Sequence, residues 1–255
     1  MIAPDDRGLT LGDGLFETVL ALDGQLRLVA EHLARMSRGC EVLGLPAPDP
    51  ELALRLMGEA LAATEPGRVA VRLTLTAGSG GRGLDRPDPI APRMLATAAA
   101  APRPSGPARV IISTVRRNEG SPASRLKTLA YLDNVLARRG ARESGADEAL
   151  MLNNRGELTS ATAANMFWIE DGRLYTPALD CGVLDGVMRA AVLAEAGRRG
   201  LECLEVRTAP SALAGAQAIF LTNSLIGVRP VAWLDGRPVA ALRLVDELTA
   251  AASDL

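Results

Sequence analysis

The sequence predicts an α+β fold in two domains. Alternating apolar residues, typical of strands, and helical periodicities occur on both sides of one proline-rich segment. That segment, residues 101–107, reads Ala-Pro-Arg-Pro-Ser-Gly-Pro, the composition of a stiff linker. The chain has 255 residues, enough for two domains. We therefore expect a small α+β domain over residues 1–100, a linker over 101–108 and a larger domain over 109–255.

Each element of the first part has its own local pattern. Residues 6–14 are polar and glycine-rich, typical of a loop, and Asp49 before Pro50 is a helix N-cap signal. A second glycine-rich loop covers residues 77–83. The predicted strands are residues 15–22, 25–29, 68–76 and 93–99, and the predicted helices are residues 30–45 and 49–63.

The second part is predicted to be richer in strands. Its predicted strands are residues 109–115, 147–152, 157–162, 165–170, 173–176, 202–207, 218–222 and 228–234. It has three predicted helices. The first starts at Lys127 and runs to about Glu143, and the other two cover residues 186–199 and 240–252.

Composition argues against several classes of function. The net charge is -2 with both signs interspersed, so no nucleic acid or acidic membrane partner is expected. No apolar run approaches the length of a membrane span. With one histidine and three isolated cysteines, no metal site is predicted. Isolated thiols are typical of the reducing cytoplasm, which is the expected location.

Lys127 is the only lysine in the chain. Arginine replaces lysine readily as a surface charge, but only lysine can lose its proton near neutral pH and condense with a carbonyl. A lone lysine among arginines therefore indicates a Schiff-base role, with a chance surface residue as the alternative. Such lysines either react directly with a carbonyl substrate or tether pyridoxal phosphate.

A phosphate-binding segment would favour pyridoxal phosphate. Residues 182–189 read Gly-Val-Leu-Asp-Gly-Val-Met-Arg and lead into a predicted helix, whose first N–H groups and dipole attract phosphate. The turn at Thr222, Asn223 and Ser224 could add donors. Tight-turn glycines are the common alternative for such loops.

Together these segments resemble the fold-type IV pyridoxal phosphate enzymes, the class IV aminotransferase family. The family includes branched-chain aminotransferase, D-amino acid aminotransferase and aminodeoxychorismate lyase. The resemblance runs from Asp6 nearly to the C-terminus, and the matching segments are residues 6–8, 12–14, 31–35, 127 with its helix, 146–150, 164–168, 175–177 and 186–189.

The resemblance implies a fold, a cofactor and an assembly. The fold would be like that of D-amino acid aminotransferase, with a small α+β domain and a larger β-barrel-like domain with helices. The cofactor would be pyridoxal 5'-phosphate, and the substrate a small-molecule amine. The chain would form a homodimer in which a loop of the partner chain reaches the site.

The resemblance also assigns roles to residues. Lys127 would hold the cofactor and act as acid and base, and Arg35 would bind the phosphate. Val187 and Met188 would offer backbone N–H groups to the phosphate, and Asn223 and Ser224 would form a turn on its other side.

Within the family, the glycine-rich segment favours the lyase. Residues 77–83 read Ala-Gly-Ser-Gly-Gly-Arg-Gly and resemble a loop of the lyase, so Arg82 would bind a substrate carboxylate; a solvated loop arginine is the alternative. The segment 222–225 also resembles the lyase more than the aminotransferases. Thr18, and Tyr131 one helical turn after Lys127, are further candidates for substrate binding, with packing as the alternative for Tyr131.

Ser160 departs from the family pattern. It occupies the position of a glutamate that, in the family, lies beside the pyridine nitrogen of the cofactor. A carboxylate stabilises the protonated ring and makes it a strong electron sink, which a hydroxyl cannot do. Transamination needs that sink more than elimination does, and Glu157 is expected to point to the opposite face of its strand.

The predicted function is conversion of 4-amino-4-deoxychorismate to 4-aminobenzoate and pyruvate, a step of folate biosynthesis. Lys127 would remove the C4 proton before the enolpyruvyl oxygen leaves C3. One alternative is an aminotransferase of D- or branched-chain amino acids with 2-oxoglutarate. Another is a pyridoxal phosphate-binding protein with weak or lost turnover.

Overall fold

The structure is a computed structural model that describes residues 2–253. These residues group into two compact units. The first contains the described residues up to Arg103 together with Leu126–Ala130, and the second contains Pro104–Arg125 and the described residues from Tyr131 onward. Leu126–Ala130 thus belong to the first unit, although the sequence predicts them in the larger domain. The boundaries at residues 100 and 109 stay a prediction.

The first unit is an antiparallel sheet with helices on one face. Its elements are α1 (Arg7–Leu11), β1 (Gly14–Leu22), β2 (Gln25–Leu26), α2 (Val29–Leu43), α3 (Pro50–Ala62), β3 (Arg68–Thr76) and β4 (Arg93–Ala100). The strand order is β2-β1-β3-β4. Alternation in β1 and β3 places every second side chain in one core with the helices. The core includes Leu15, Val19, Val71 and Leu73 from these strands and Met36 and Met57 from α2 and α3. Asp49 caps α3 as predicted, since its side chain accepts from the N–H groups of Glu51 and Leu52.

The second unit is built on one mixed sheet. Its elements are β5 (Ala108–Arg117), α4 (Leu132–Glu143), β6 (Glu148–Asn153), β7 (Leu158–Ala161), β8 (Asn165–Glu170), β9 (Arg173–Pro177), α5 (Val187–Arg198), β10 (Cys203–Val206), β11 (Ala218–Asn223), β12 (Gly227–Leu234), β13 (Arg237–Pro238) and α6 (Arg243–Ser253). The strand order is β10-β9-β8-β11-β12-β5-β6-β7, with β13 paired to β12.

Helices connect the consecutive parallel strands of this sheet. Parallel strands cannot be joined by a tight turn and need a long crossover. The pair β5–β6 is parallel and is connected through α4, and the pair β9–β10 is parallel and is connected through α5. Among the described residues no helix is both long and apolar enough to cross a lipid bilayer.

The predicted α+β class is confirmed, since each unit combines a sheet with helices, but two local predictions of secondary structure are wrong. Residues 7–11 form α1 instead of a loop. The helix predicted to start at Lys127 starts at Leu132, because the residues before it pair with β1. The Phe16 N–H donates to the Lys127 carbonyl at 2.9 Å, and the Leu129 N–H donates to the Gly14 carbonyl at 3.0 Å. Backbone groups used in this pairing are not available to a helix.

Candidate active site

Lys127 lies in a turn of the first unit, beside Phe16. Its Nζ is 4.2 Å from the centre of the Phe16 ring. The guanidinium carbon of Arg72 lies 3.6 Å from the centre of the same ring. Phe16 is buried and Lys127 is half-buried. The ring therefore orders two cations through cation–π contacts at the residue that the sequence marks as reactive.

Arg35 is held by the residue next to Phe16. Its Nε donates to Glu17 Oε1 at 2.8 Å and its Nη2 donates to Glu17 Oε2 at 2.5 Å, a two-point contact that fixes the plane of the guanidinium. His32 Nδ1 lies 2.7 Å from Glu17 Oε2, and His32 is buried. Burial acts to raise the pKa of Glu17, but hydrogen bonds from Arg35 and His32 outweigh it and hold the pKa at about 2.

Three consecutive residues of β1 lie near predicted site residues, on alternating faces of the strand. Phe16 contacts Lys127, Glu17 orients Arg35, and Thr18 is half-buried on the strand face that Phe16 shares. Arg82 lies elsewhere in the first unit, on the loop between β3 and β4, and its side chain is exposed. The substrate-binding roles of Thr18 and Arg82 stay predictions.

The start of α5 in the second unit presents backbone donors. Val187 and Met188 are its first residues and are buried. Gly186 precedes them as N-cap, and no side chain caps this end. The first N–H groups of a helix have no acceptor within the helix, so this end suits an anion.

Asn165 fixes the position of this helix end. Its Nδ2 donates to the Leu184 carbonyl at 2.9 Å. A Cβ added at Gly186 would lie 2.0 Å from Asn165 Oδ1, so only glycine allows the backbone to approach so closely.

Asn223 and Ser224 form a turn near Asn165, at the start of β8. Asn223 Oδ1 accepts from the N–H groups of Leu225 and Ile226, and its Nδ2 donates to the Ala163 carbonyl at 2.8 Å. Thr222 pairs with Asn165 across β11 and β8. The structure therefore brings the α5 start and this turn to the two sides of residues 163–165, and the Asn223 side chain acts on the turn itself.

Ser160 lies on β7 in the second unit and is buried. Hydrogen bonds from Arg155 and Asn153 lower the pKa of Glu157, whose carboxylate also accepts a contact from the Cys181 thiol. Glu148 is buried and accepts from Arg138 and Thr162. Both nearby acids are therefore engaged elsewhere, and Ser160 offers only a neutral hydroxyl.

Tyr131 does not stand one helical turn after Lys127, and that prediction is wrong. Tyr131 immediately precedes α4, while Lys127 lies outside any helix. Burial lowers the pKa of the nearby Arg117, whereas charges on Tyr131 and Asp133 act in the opposite direction. The substrate role of Tyr131 stays a prediction.

Sequence reasoning missed three supporting residues: Phe16, Glu17 and Arg117. Glu17 could have been found as a charged residue inside an apolar strand. Arg117 donates to the carbonyls of Ser124 and Gly182, joining the stretch before Lys127 to the loop that leads into α5. The contacts of Phe16 and Arg117 are distant in sequence and leave no local pattern.

Comparison with known proteins decides the family. The family model for amino-transferase class IV matches residues 14–234. The chain belongs to the class IV aminotransferase family. A Methanocaldococcus jannaschii protein, provisionally assigned as a branched-chain-amino-acid aminotransferase, is 32% identical over 240 residues, which cover 92% of this chain and 83% of that protein.

Two solved structures are similar along the whole of this class IV chain. The 4-amino-4-deoxychorismate lyase from Pseudomonas aeruginosa is 32% identical with a TM-score of 0.91, covering 100% of this chain and 95% of the other. The pyridoxal phosphate-bound form of a hypothetical aminotransferase from Mycobacterium tuberculosis is 25% identical with a TM-score of 0.86, covering 100% and 94%. Relatives with lyase and aminotransferase names are equally similar, so identity does not select the reaction.

The class IV family is dependent on pyridoxal 5'-phosphate, which is therefore the cofactor of this protein. Its residues fit that group. In the second unit, the uncapped start of α5, with its close approach at Gly186, suits a phosphate. In the first unit, Lys127 carries a primary amine, and its role as the cofactor lysine stays a prediction.

Proposed function

We propose that the protein is a pyridoxal phosphate-dependent lyase that converts 4-amino-4-deoxychorismate to 4-aminobenzoate and pyruvate, a step of folate biosynthesis. The observation that carries the proposal is the buried Ser160, a neutral hydroxyl at the position of the family's glutamate. The glycine-rich loop that contains Arg82 and the lyase of Pseudomonas aeruginosa at 32% identity also support it.

The proposal gives each residue a task. The residues proposed to bind the cofactor are Lys127, Arg35, Ser160, Val187, Met188, Asn223 and Ser224. When bound, the cofactor supplies an aldehyde for the amine and a conjugated ring that takes up an electron pair. Arg82 binds a substrate carboxylate, and Thr18 and Tyr131 contact the substrate.

The proposed chemistry uses Lys127 as the base. Its Nζ takes the proton from substrate C4, the bond from C3 to the enolpyruvyl oxygen breaks, and the three-carbon fragment leaves as pyruvate. The remaining ring becomes aromatic as 4-aminobenzoate. The departing group removes the electron pair promptly, so a neutral Ser160 suffices.

Purified protein with bound cofactor tests the proposal. Aminodeoxychorismate should release 4-aminobenzoate, detected by fluorescence, and an equal amount of pyruvate, detected with lactate dehydrogenase. Lys127→Arg should remove the absorbance band of the bound cofactor and the activity. Borohydride reduction should attach the cofactor covalently to Lys127. Arg125→Lys introduces a second lysine close in sequence as a control, and in this variant the cofactor should still be attached only to Lys127.

An aminotransferase is the second candidate, favoured by the 32% identity to the Methanocaldococcus jannaschii protein. Amine exchange between amino and keto acids without 4-aminobenzoate release would establish it. An absorbance band with no turnover of any amine would indicate a cofactor-binding protein with weak or lost activity.

We also propose a cytoplasmic homodimer. The thiols of Cys40, Cys181 and Cys203 are free, as is usual in a reducing compartment. On α4, Leu132 and Val135 are exposed by 68% and 59%, and Leu136 by 36%. Their spacing puts them on one helix face, a surface that a second copy would cover.

A further inference from the structure

The guanidinium of Arg7 holds the loop that contains Arg82. Arg7 is 4% exposed and is the buried residue of α1. Its Nη2 donates to the Leu84 carbonyl at 2.8 Å, and its Nη1 donates to the carbonyls of Asp85 at 3.0 Å and Gly83 at 3.4 Å. A buried fork of donors on successive carbonyls fixes the path of that backbone.

Asp13 fixes Arg7 in turn. Arg7 Nε donates to Asp13 Oδ2 at 2.9 Å, and Arg86 Nη2 donates to Asp13 Oδ1 at 2.6 Å. Arg86 Nη1 also donates to the Leu43 carbonyl at 2.5 Å. One carboxylate thus pairs with two guanidinium groups, and the second of these anchors the end of the loop to α2.

The glycines of the loop accommodate this arrangement. A Cβ at Gly81 would lie 2.1 Å from the Asp85 carbonyl oxygen and 3.0 Å from Arg7 Nη1, and Gly81 has a φ of +83°. The Arg7 N–H donates to the Gly78 carbonyl at 2.8 Å. Arg7 therefore contacts the loop on both sides of Arg82, while the side chains of Arg82 and Leu84 point to solvent.

The residues that follow Arg7 also reach the segment of residues 126–130 that contains Lys127. Asp13 precedes Gly14, whose carbonyl accepts from the Leu129 N–H at 3.0 Å. The Ala77 N–H donates to the Asp13 carbonyl at 3.0 Å. Asp13 thus joins the start of the loop to the strand that pairs with the reactive lysine.

We propose that Arg7 is a positioning residue, which holds the loop of residues 77–86 in the conformation that presents Arg82 to the substrate carboxylate. The assignment rests on the proposed function for the role of Arg82. The loop anchoring rests on the contacts of Arg7 alone.

Hydrogen exchange and kinetics of the holoenzyme test the two parts separately. Arg7→Gln should speed amide exchange over residues 79–85 and raise the KM for aminodeoxychorismate about tenfold, the loss expected for one misplaced charged hydrogen bond. The absorbance band of the bound cofactor should not change. Arg82→Gln should raise KM similarly, and the double variant should be no worse than either single variant.

Additive effects of Arg7→Gln and Arg82→Gln on KM, or unchanged exchange in the loop, would overturn the assignment. If Arg7→Gln does not fold, Gly81→Ala should reproduce its effects, because the new methyl group collides with the Asp85 carbonyl. Arg55→Gln removes an exposed arginine of the same unit and should change nothing. If the wild type does not turn over aminodeoxychorismate, the proposed function fails, while loop exchange still decides the role of Arg7 in anchoring.

Discussion

The Nζ of Lys127 lies 4.2 Å from the centre of the Phe16 ring. A cation over an aromatic face gains about 0.5–2 kcal/mol. Phe16→Leu removes the ring and should lower kcat about tenfold, because the amine then samples positions away from the substrate proton. Phe16→Tyr keeps the ring and serves as control. Equal kcat for Phe16→Leu and the wild type would show that the ring does not place the amine.

Glu17 should make stability depend on acid. Its pKa is 4.5 as an ordinary glutamate and about 2 in the fold, so pairing contributes about 3 kcal/mol above pH 4.5. A lowered folded pKa means that this stability is lost as pH falls from about 4.5 through about 2. In thermal melts, Glu17→Gln should have a lower melting temperature than the wild type at pH 7. Its melting temperature should also change less between pH 4.5 and about 2.

Glu59→Gln is the matched control for Glu17→Gln. It removes a carboxylate whose ion pair with Arg55 is about 60% exposed on both sides. Exposed pairs contribute little, so its melting curve should follow the wild type. The assignment to Glu17 fails if both variants show the same pH profile.

Ser160→Glu should favour amino transfer. A carboxylate beside the ring nitrogen would favour its protonated form, and one pKa unit corresponds to about tenfold in that equilibrium. We expect absorbance changes with D-alanine or leucine to become about tenfold faster, while Ser160→Ala stays slow. A stable Ser160→Glu protein without this gain would remove the argument from Ser160.

Gly186→Ala should weaken cofactor binding. Its methyl group would lie 2.0 Å from Asn165 Oδ1, so either the start of α5 or the Asn165 side chain that fixes it must move. Equilibrium dialysis should show a dissociation constant for pyridoxal phosphate raised at least about tenfold, the loss of roughly one charged hydrogen bond. Gly197→Ala is in the same helix, where a methyl group meets nothing within 4 Å, and should leave binding unchanged.

Val135→Glu should give monomers if α4 forms the dimer contact. A charge in an apolar interface is costly to desolvate. Light scattering should report half the wild-type mass. Val42→Glu is the matched control, because Val42 is equally exposed, at 59%, on α2. A wild-type monomer, or a Val135→Glu dimer, would contradict the assignment.

Local pattern predicted most of the fold. The strand at Arg68–Thr76 was predicted at its observed bounds because its apolar residues alternate without interruption. Asp49 and Pro50 marked the start of α3 for equally local reasons. These signals act within a few residues, so they need no knowledge of distant contacts.

Long-range contacts account for what the sequence did not predict. Residues 7–11 lack a helical period, and Arg7 is held by carbonyls at residues 83–85. Lys127 was expected in a helix but pairs with Phe16, more than a hundred residues earlier in the chain. Of the candidate site, the roles of Lys127, Val187 and Met188 were inferred from the resemblance and stay predictions. The contacts that hold Arg35 through Glu17, and the start of α5 through Asn165, required the structure.

The assignment of Leu126–Ala130 to the first unit matters for dissecting the protein. A fragment cut after Arg103 would contain Gly14 and Phe16. It would lack residues 126–130, which pair with them through the Lys127 carbonyl and the Leu129 N–H. The complementary fragment would carry that segment without its partner. Separately produced halves should therefore regain the reactive amine's native surroundings only after reassembly, and a circular permutant opened at residues 103–104 should keep them because it retains every pairing.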